Sequence, residues 1–129
     1  MTVSGYNTHI TVITFPDQAG ADVIPGFRAP EVGATILRAV AIPDTTFDAD
    51  GSNHYTVSLI DGGADGTGTT AMASAGGASV DWTADTEKEL TITNDSVDGS
   101  DWIHVSYAET GTVAPGNITV CIEWTAGGT

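Results

Sequence analysis

Side chains able to do chemistry are concentrated in the acidic turns of the chain. The run Asp44-Thr45-Thr46-Phe47-Asp48-Ala49-Asp50-Gly51-Ser52-Asn53 contains Asp-x-Asp-Gly, a fragment of the loop with which an EF-hand holds calcium. Setting Asp48, Asp50 and Gly51 at the third, fifth and sixth loop positions puts Thr46 at the first and Val57 at the twelfth. The leading carboxylate and the bidentate glutamate are therefore missing, no helical pattern flanks the loop, and the EF-hand reading fails. An irregular cation site on Asp48, Asp50 and Asn53 stays open beside a plainer reading, a solvated turn whose Asp and Asn bond their own backbone. Asp61-Gly62-Gly63-Ala64-Asp65-Gly66-Thr67-Gly68 has the glycines of a phosphate loop but not its Gly-Lys-Ser/Thr ending. Its carboxylates repel phosphate, and it reads as a surface turn.

The other reactive side chains are dispersed. His9, His54 and His104 each fall within a strand-like run, with separations that give no reason for them to converge on a metal. Cys121 is the lone cysteine, so neither a disulfide framework nor a cysteine zinc cluster can form within the chain. It sits beside Glu123, and a carboxylate disfavours the reactive thiolate. No Gly-x-Ser-x-Gly elbow occurs, and with 17 acids a close carboxylate pair carries no specificity for glycoside cleavage. Trp82, Trp102 and Trp124, exposed together, would make a stacking platform for sugar rings. Trp124 shares parity with Ile118, Val120 and Ile122, which places it in a core, whereas Trp102 opens a strand and reads as exposed. No catalytic, cofactor-binding or metal-binding residue is assigned, and no enzyme is expected.

The elements that must position these residues are short strands. Residues 8–15 are rich in β-branched side chains and stop at Pro16-Asp17. Residues 34–42 alternate Ile36, Val40 and Ile42, with Arg38 interrupting, against Leu37, Ala39 and Ala41, as in a strand covered on both sides. Residues 54–60, 90–93, 102–107 and 118–124 add four more runs, the last with the clearest period of two. Residues 23–27 and 79–83 supply two further short candidates. The alanine-rich residues 69–78 are cut short by Gly76-Gly77 and read as a loop. The spacing predicts an all-β protein, a single-domain antiparallel β-sandwich (jelly-roll-like) or barrel of about 7–8 short strands. Residues 1–7 read as a flexible N-terminal arm and residues 8–129 as the sandwich domain.

Charge bounds the partners. The chain has 129 residues with 17 Asp+Glu against 3 Lys+Arg, a formal net charge of -14, and 40% hydrophobic residues that can build a core. Three cations make no basic patch, so nucleic acid and anionic membranes are excluded as electrostatic partners. The first residues lack the basic and apolar regions of a secretory signal, and no stretch approaches 18 consecutive apolar residues. Free copies are expected to repel one another.

Several segments together resemble small head-region structural proteins of tailed bacteriophages. They are Gly26-Phe27-Arg28-Ala29-Pro30, Gly33-Ala34-Thr35-Ile36-Leu37-Arg38-Ala39-Val40, Tyr55-Thr56-Val57-Ser58-Leu59, Gly63-Ala64-Asp65-Gly66-Thr67-Gly68-Thr69-Thr70, and Gly111-Thr112 through Pro115-Gly116-Asn117-Ile118-Thr119-Val120. In that group a β-sandwich decorates or cements the capsid exterior or forms a head fibre, often as a trimer. The resemblance implies a non-enzymatic virion protein without cofactors, assembled in the host cytoplasm, with the major capsid protein and two further copies of itself as partners. The alternative on the same fold is a carbohydrate-binding module.

Overall fold

Alternating β-branched residues and turn residues resolve into ten strands in a computed structural model, which describes residues 8–16 and 20–127. They are β1 (Thr8–Phe15), β2 (Asp22–Arg28), β3 (Ala34–Pro43), β4 (His54–Gly63), β5 (Thr70–Gly76), β6 (Lys88–Glu89), β7 (Thr91–Ile92), β8 (Ser96–Val97), β9 (Trp102–Thr110) and β10 (Ile118–Ala126). Sheet 1 runs β1-β10-β3-β6, with β8 also paired to β3; sheet 2 runs β2-β9-β4-β5-β7, and every pairing is antiparallel.

The chain alternates between the sheets at every connection except β4 to β5. Its pairs are nested: β4 with β5, β3 with β6 and β8, β2 with β9, and β1 with β10. A single antiparallel ribbon folded over itself in this way is a jelly roll. The strands form two sheets and not a closed barrel.

Strands with strict alternation build the core. Tyr55, Val57 and Leu59 of β4, Ile103, Val105 and Tyr107 of β9, and Ile118, Val120 and Ile122 of β10 are all fully buried. Each large side chain removed from water in this way contributes roughly 1.5–3 kcal/mol. One run of rings, Phe15–Tyr107–Tyr55–Trp82, crosses the interior with successive centroids 6.0, 5.5 and 4.7 Å apart.

The sequence reading needs correction in four places. First, β3 does not keep one parity. The register with β10 shifts between Glu123 and Trp124, so Ile36, Ala39 and Ala41 face the core while Arg38 and Val40 face outward. Second, residues 69–78, read as a loop, contain strand β5. Alanine's helical preference is below about 1 kcal/mol per residue, and pairing with β4 outweighs it while burying Met72, Ala73 and Ala75. Third, residues 79–83 form no strand; Trp82 makes only an isolated bridge to Phe47. Fourth, residues 90–93 keep only the two-residue strand β7; Leu90, where the chain crosses from β6 in the other sheet, is buried. The N-terminal arm, residues 1–7, lies outside the described residues.

Candidate interaction surface

The acidic turns use their carboxylates on their own backbone. One Asp50 oxygen accepts the N–H groups of Ser52 and Asn53 at 2.8 and 3.2 Å, and these bonds hold its pKa below the ordinary Asp value. Asn53 Oδ1 accepts the Thr112 N–H at 2.9 Å across the loop, and Asp48 is exposed. The glycine-rich turn joins β4 to β5. There Asp65 accepts both the N–H and the hydroxyl of Thr67, at 3.0 and 2.8 Å, and its pKa is likewise depressed. Among the described residues, no three His, Cys, Asp or Glu side chains gather as a cation site.

Asp101 behaves oppositely. Partial burial, the nearby Asp61 charge and Asp98 raise its pKa. A carboxyl raised on folding costs stability at neutral pH, and the cost is relieved as pH falls through its folded pKa. Asp50 and Asp65, lowered on folding, contribute stability above the ordinary Asp value and lose it as pH falls through their folded values. The Tm is therefore expected to rise as pH drops from about 7 into the upper carboxylate range, then to fall as Asp50 and Asp65 protonate. Calorimetry across that range checks this, and Asp101→Asn should raise the Tm at neutral pH and flatten the rise. A Tm that only falls from neutrality would contradict it.

The three histidines do not converge. His9 on β1 stacks on Trp124, centroids 4.4 Å apart, and His54 Nδ1 lies 3.0 Å from the Asp50 carbonyl. His104 on β9 is buried, and its Nε2 donates to the Gly66 carbonyl at 3.0 Å, which fixes the proton on that nitrogen. Gly62 makes room for the ring, since a Cβ there would lie 2.5 Å from Nε2. Cys121 is half-buried on the outer face of sheet 1, its thiol pKa raised by burial and by the charges of Glu123 and Glu87.

The three tryptophans form no shared face. Trp82 is fully buried. Trp124 stacks on Phe27 as well as His9, with centroids 4.3 Å apart, and donates its indole N–H to Thr11 Oγ1 at 3.1 Å. Trp102, read as exposed, is half-buried, and the Arg28 guanidinium lies 5.9 Å from its ring centre. Two adjoining grooves of about 480 and 450 Å³ meet at Leu37 and Ile92, and neither is lined by an aromatic ring.

The surface that stands apart is the outer face of sheet 1. Cross-strand register sets Ile10 beside Glu123 and Arg38, and Val12 beside Cys121 and Val40. Its β6 side is charged: Arg38 contacts Glu87 at 2.7 Å and Glu89 at 2.6 Å, and these bonds raise the guanidinium pKa. Its β1 side is apolar, with Ile10 62% and Val12 58% exposed. Sequence reasoning did not single out these two residues. A usable signal exists, because no Asp, Glu, Lys or Arg occurs before Asp17.

No family model matches the sequence, and no curated protein matches it. Several solved chains show some likeness, among them the following three. A chain of the cyanophage Pam1 capsid asymmetric unit is 17% identical with a TM-score of 0.43, over 98% of this chain and 91% of that one. An arabinose-bound α-L-arabinofuranosidase, MgGH51, is 17% identical with a TM-score of 0.35, over 92% of this chain and 22% of that one. A chain of infectious bursal disease virus, Gx strain, is 15% identical with a TM-score of 0.35, over 95% of this chain and 33% of that one. No residue role follows from likeness at this level.

Proposed function

We propose that this chain is a non-enzymatic structural protein of a virion, decorating or cementing the exterior of a bacteriophage capsid. The observation that carries the reading is the division of its surface. Carboxylates such as Asp50 and Asp65 are spent on shaping turns, while the exposed β-branched apolar side chains of β1 lie on a strand with no charge. A domain that works by adhesion needs such a strip, and its acidic remainder keeps free copies in solution. The strand patterns that resemble phage head proteins support the same reading. The partner is the major capsid protein, the assembled form is a homotrimer, and assembly takes place in the host cytoplasm. The seven residues before β1 serve as the arm that contacts the capsid.

The test is whether the protein co-sediments with assembled heads, followed by a density map of its position. Copies grouped in threes on the outer surface are expected. Its presence only in the soluble fraction rejects the reading, and glycan-array binding without particle association would move the protein to the sugar-binding class. Deleting residues 1–7 should lower capsid occupancy; unchanged occupancy rejects the arm.

A further inference from the structure

Strand β1 ends sheet 1. Among the described residues only β10 pairs with it, so one side of β1 presents backbone donors and acceptors without strand partners. Sheets guard such edges with lysine, proline, bulges or very short strands. None of these guards occurs within Thr8–Phe15: it is eight residues long, has no Asp, Glu, Lys or Arg, pairs with β10 without a register shift, and meets proline only at Pro16. Its outward side chains are Ile10 and Val12, both more than half exposed, with Thr14 beyond them.

We propose that this edge pairs antiparallel with the same edge of a second copy about a twofold axis, joining two five-stranded sheets into one continuous sheet. Residues facing each other across antiparallel strands must point to the same side. A twofold centred between two residues would set outward side chains against inward ones, so the axis must pass through a residue. Centring it on Thr11 places Ile10 against Val12 of the second copy and Val12 against its Ile10. Four β-branched apolar side chains then cover one another, and Thr8 meets Thr14. Centring it on Val12 instead would set His9 against Phe15, which is already buried. The Thr11-centred register is therefore the favoured one.

The chemistry of the edge selects this occupant. A basic strand would find no carboxylate on β1, whereas a second copy brings an uncharged strand of matching length and side-chain pattern. A twofold strand pair closes at two copies, so it links protomers of neighbouring trimers and not the three within one. It draws on the same exposed strip as the capsid reading, but its test requires no capsid. Two strands of this length bury less than the roughly 1,600 Å² of a standard interface, so association is expected at micromolar and higher concentrations. Each copy carries -14, so added salt should strengthen the pairing by screening repulsion, where binding to a basic partner would weaken.

Sedimentation of the full chain across protein concentrations, at about 0.05 and about 1 M salt, provides the test. The expected result is a doubling of mass, from one copy to two or from three to six, favoured by salt. Because Ile10 and Val12 are exposed, I10E/V12E should fold with an unchanged circular dichroism spectrum and weaken the doubling on the order of tenfold or more. Mixing it with I10K/V12K should restore the doubling, since the Thr11-centred register sets each glutamate opposite a lysine. No doubling of the intact chain at any salt overturns the proposal, as does a doubling that I10E/V12E leaves unchanged. So does failure of the charge-swapped mixture to recover it. Doubling seen only after removal of residues 1–7 would make those residues the occupant of the edge and overturns it equally. Failure of co-sedimentation with heads would leave this result untouched, and the two readings are separable.

Discussion

Replacing Trp82 with alanine is expected to destabilise the protein by about 3–5 kcal/mol. Domains of this kind have roughly 5–15 kcal/mol in total, so the loss should move the urea midpoint far down. Trp82 is fully buried and stacks on Tyr55 with centroids 4.7 Å apart and an interplanar angle of 20°. Tyr55 in turn touches Phe47 and Tyr107, so the indole ends a chain of rings that runs through the core. Its backbone exchanges two hydrogen bonds with Phe47, at 2.7 and 2.9 Å. The Lys88 ammonium stands 4.4 Å from the ring centre and donates to the carbonyls of Val80 and Asp81. Burial lowers the Lys88 pKa, and the nearby Asp81 charge opposes that shift. This ring therefore pins the long connection between β5 and β6, and alanine would leave both a cavity and a loose segment. Trp82→Phe separates the causes. Its ring can still stack, and it removes an indole N–H that is buried without a partner, so its loss should be about 1–2 kcal/mol. Equal losses for the two variants would show that stacking is not what holds the segment.

The same tryptophan shows which parts of the fold were legible in the sequence. Strands β4, β9 and β10 could be read because one face is apolar and the other polar, and a period of two then fixes which side chains are buried. Trp82 lies in no such pattern. Its burial depends on Phe47 and Tyr55, residues distant in sequence, which no local period encodes. Strand β5 was missed for a related reason: Ala71, Ala73 and Ala75 carry a weak helical preference, and the partner that overrides it is the neighbouring strand β4. In β3 the pattern misled, because one unmatched residue at the bulge reverses parity from Leu37 onward.

The interaction surface was hidden differently. Ile10 and Val12 alternate with Thr11, Ile13 and Phe15, so both faces of β1 contain apolar residues and periodicity cannot say which is outside. That β1 is an edge is a property of the ribbon's folding, decided when β10 returns to pair with it. What the sequence did contain was a charge pattern. The absence of acids before Asp17 becomes informative once the strand is known to be exposed. Conversely, the acid-rich run around Asp48 and Asp50 drew attention as a cation site, while the structure gives Asp50 and Asn53 work within the fold.

That work makes Gly111→Ala the second substitution with a large expected effect, a loss of about 2–5 kcal/mol. Gly111 follows β9 with φ at +73°, in the left-handed region where a side chain costs about 1–2 kcal/mol. A Cβ there would also run into the Ser52 carbonyl oxygen and Asn53 Oδ1, and such overpacking adds about 1–3 kcal/mol. The obstacle cannot yield cheaply. Ser52 and Asn53 are both tied by their N–H groups to Asp50, and Asn53 Oδ1 accepts the N–H of Thr112, the residue after the glycine. The acidic loop is thus a socket for the connection between β9 and β10, and the glycine is the shape that fits it. Non-additivity provides the check. Asn53→Ala alone should cost about 1–2 kcal/mol through the lost Thr112 bond. In the Gly111→Ala background it should cost markedly less, because that bond is already displaced and a crowding atom is removed. If the two losses simply add, the loops are energetically independent, and the depressed Asp50 pKa reflects only its own turn.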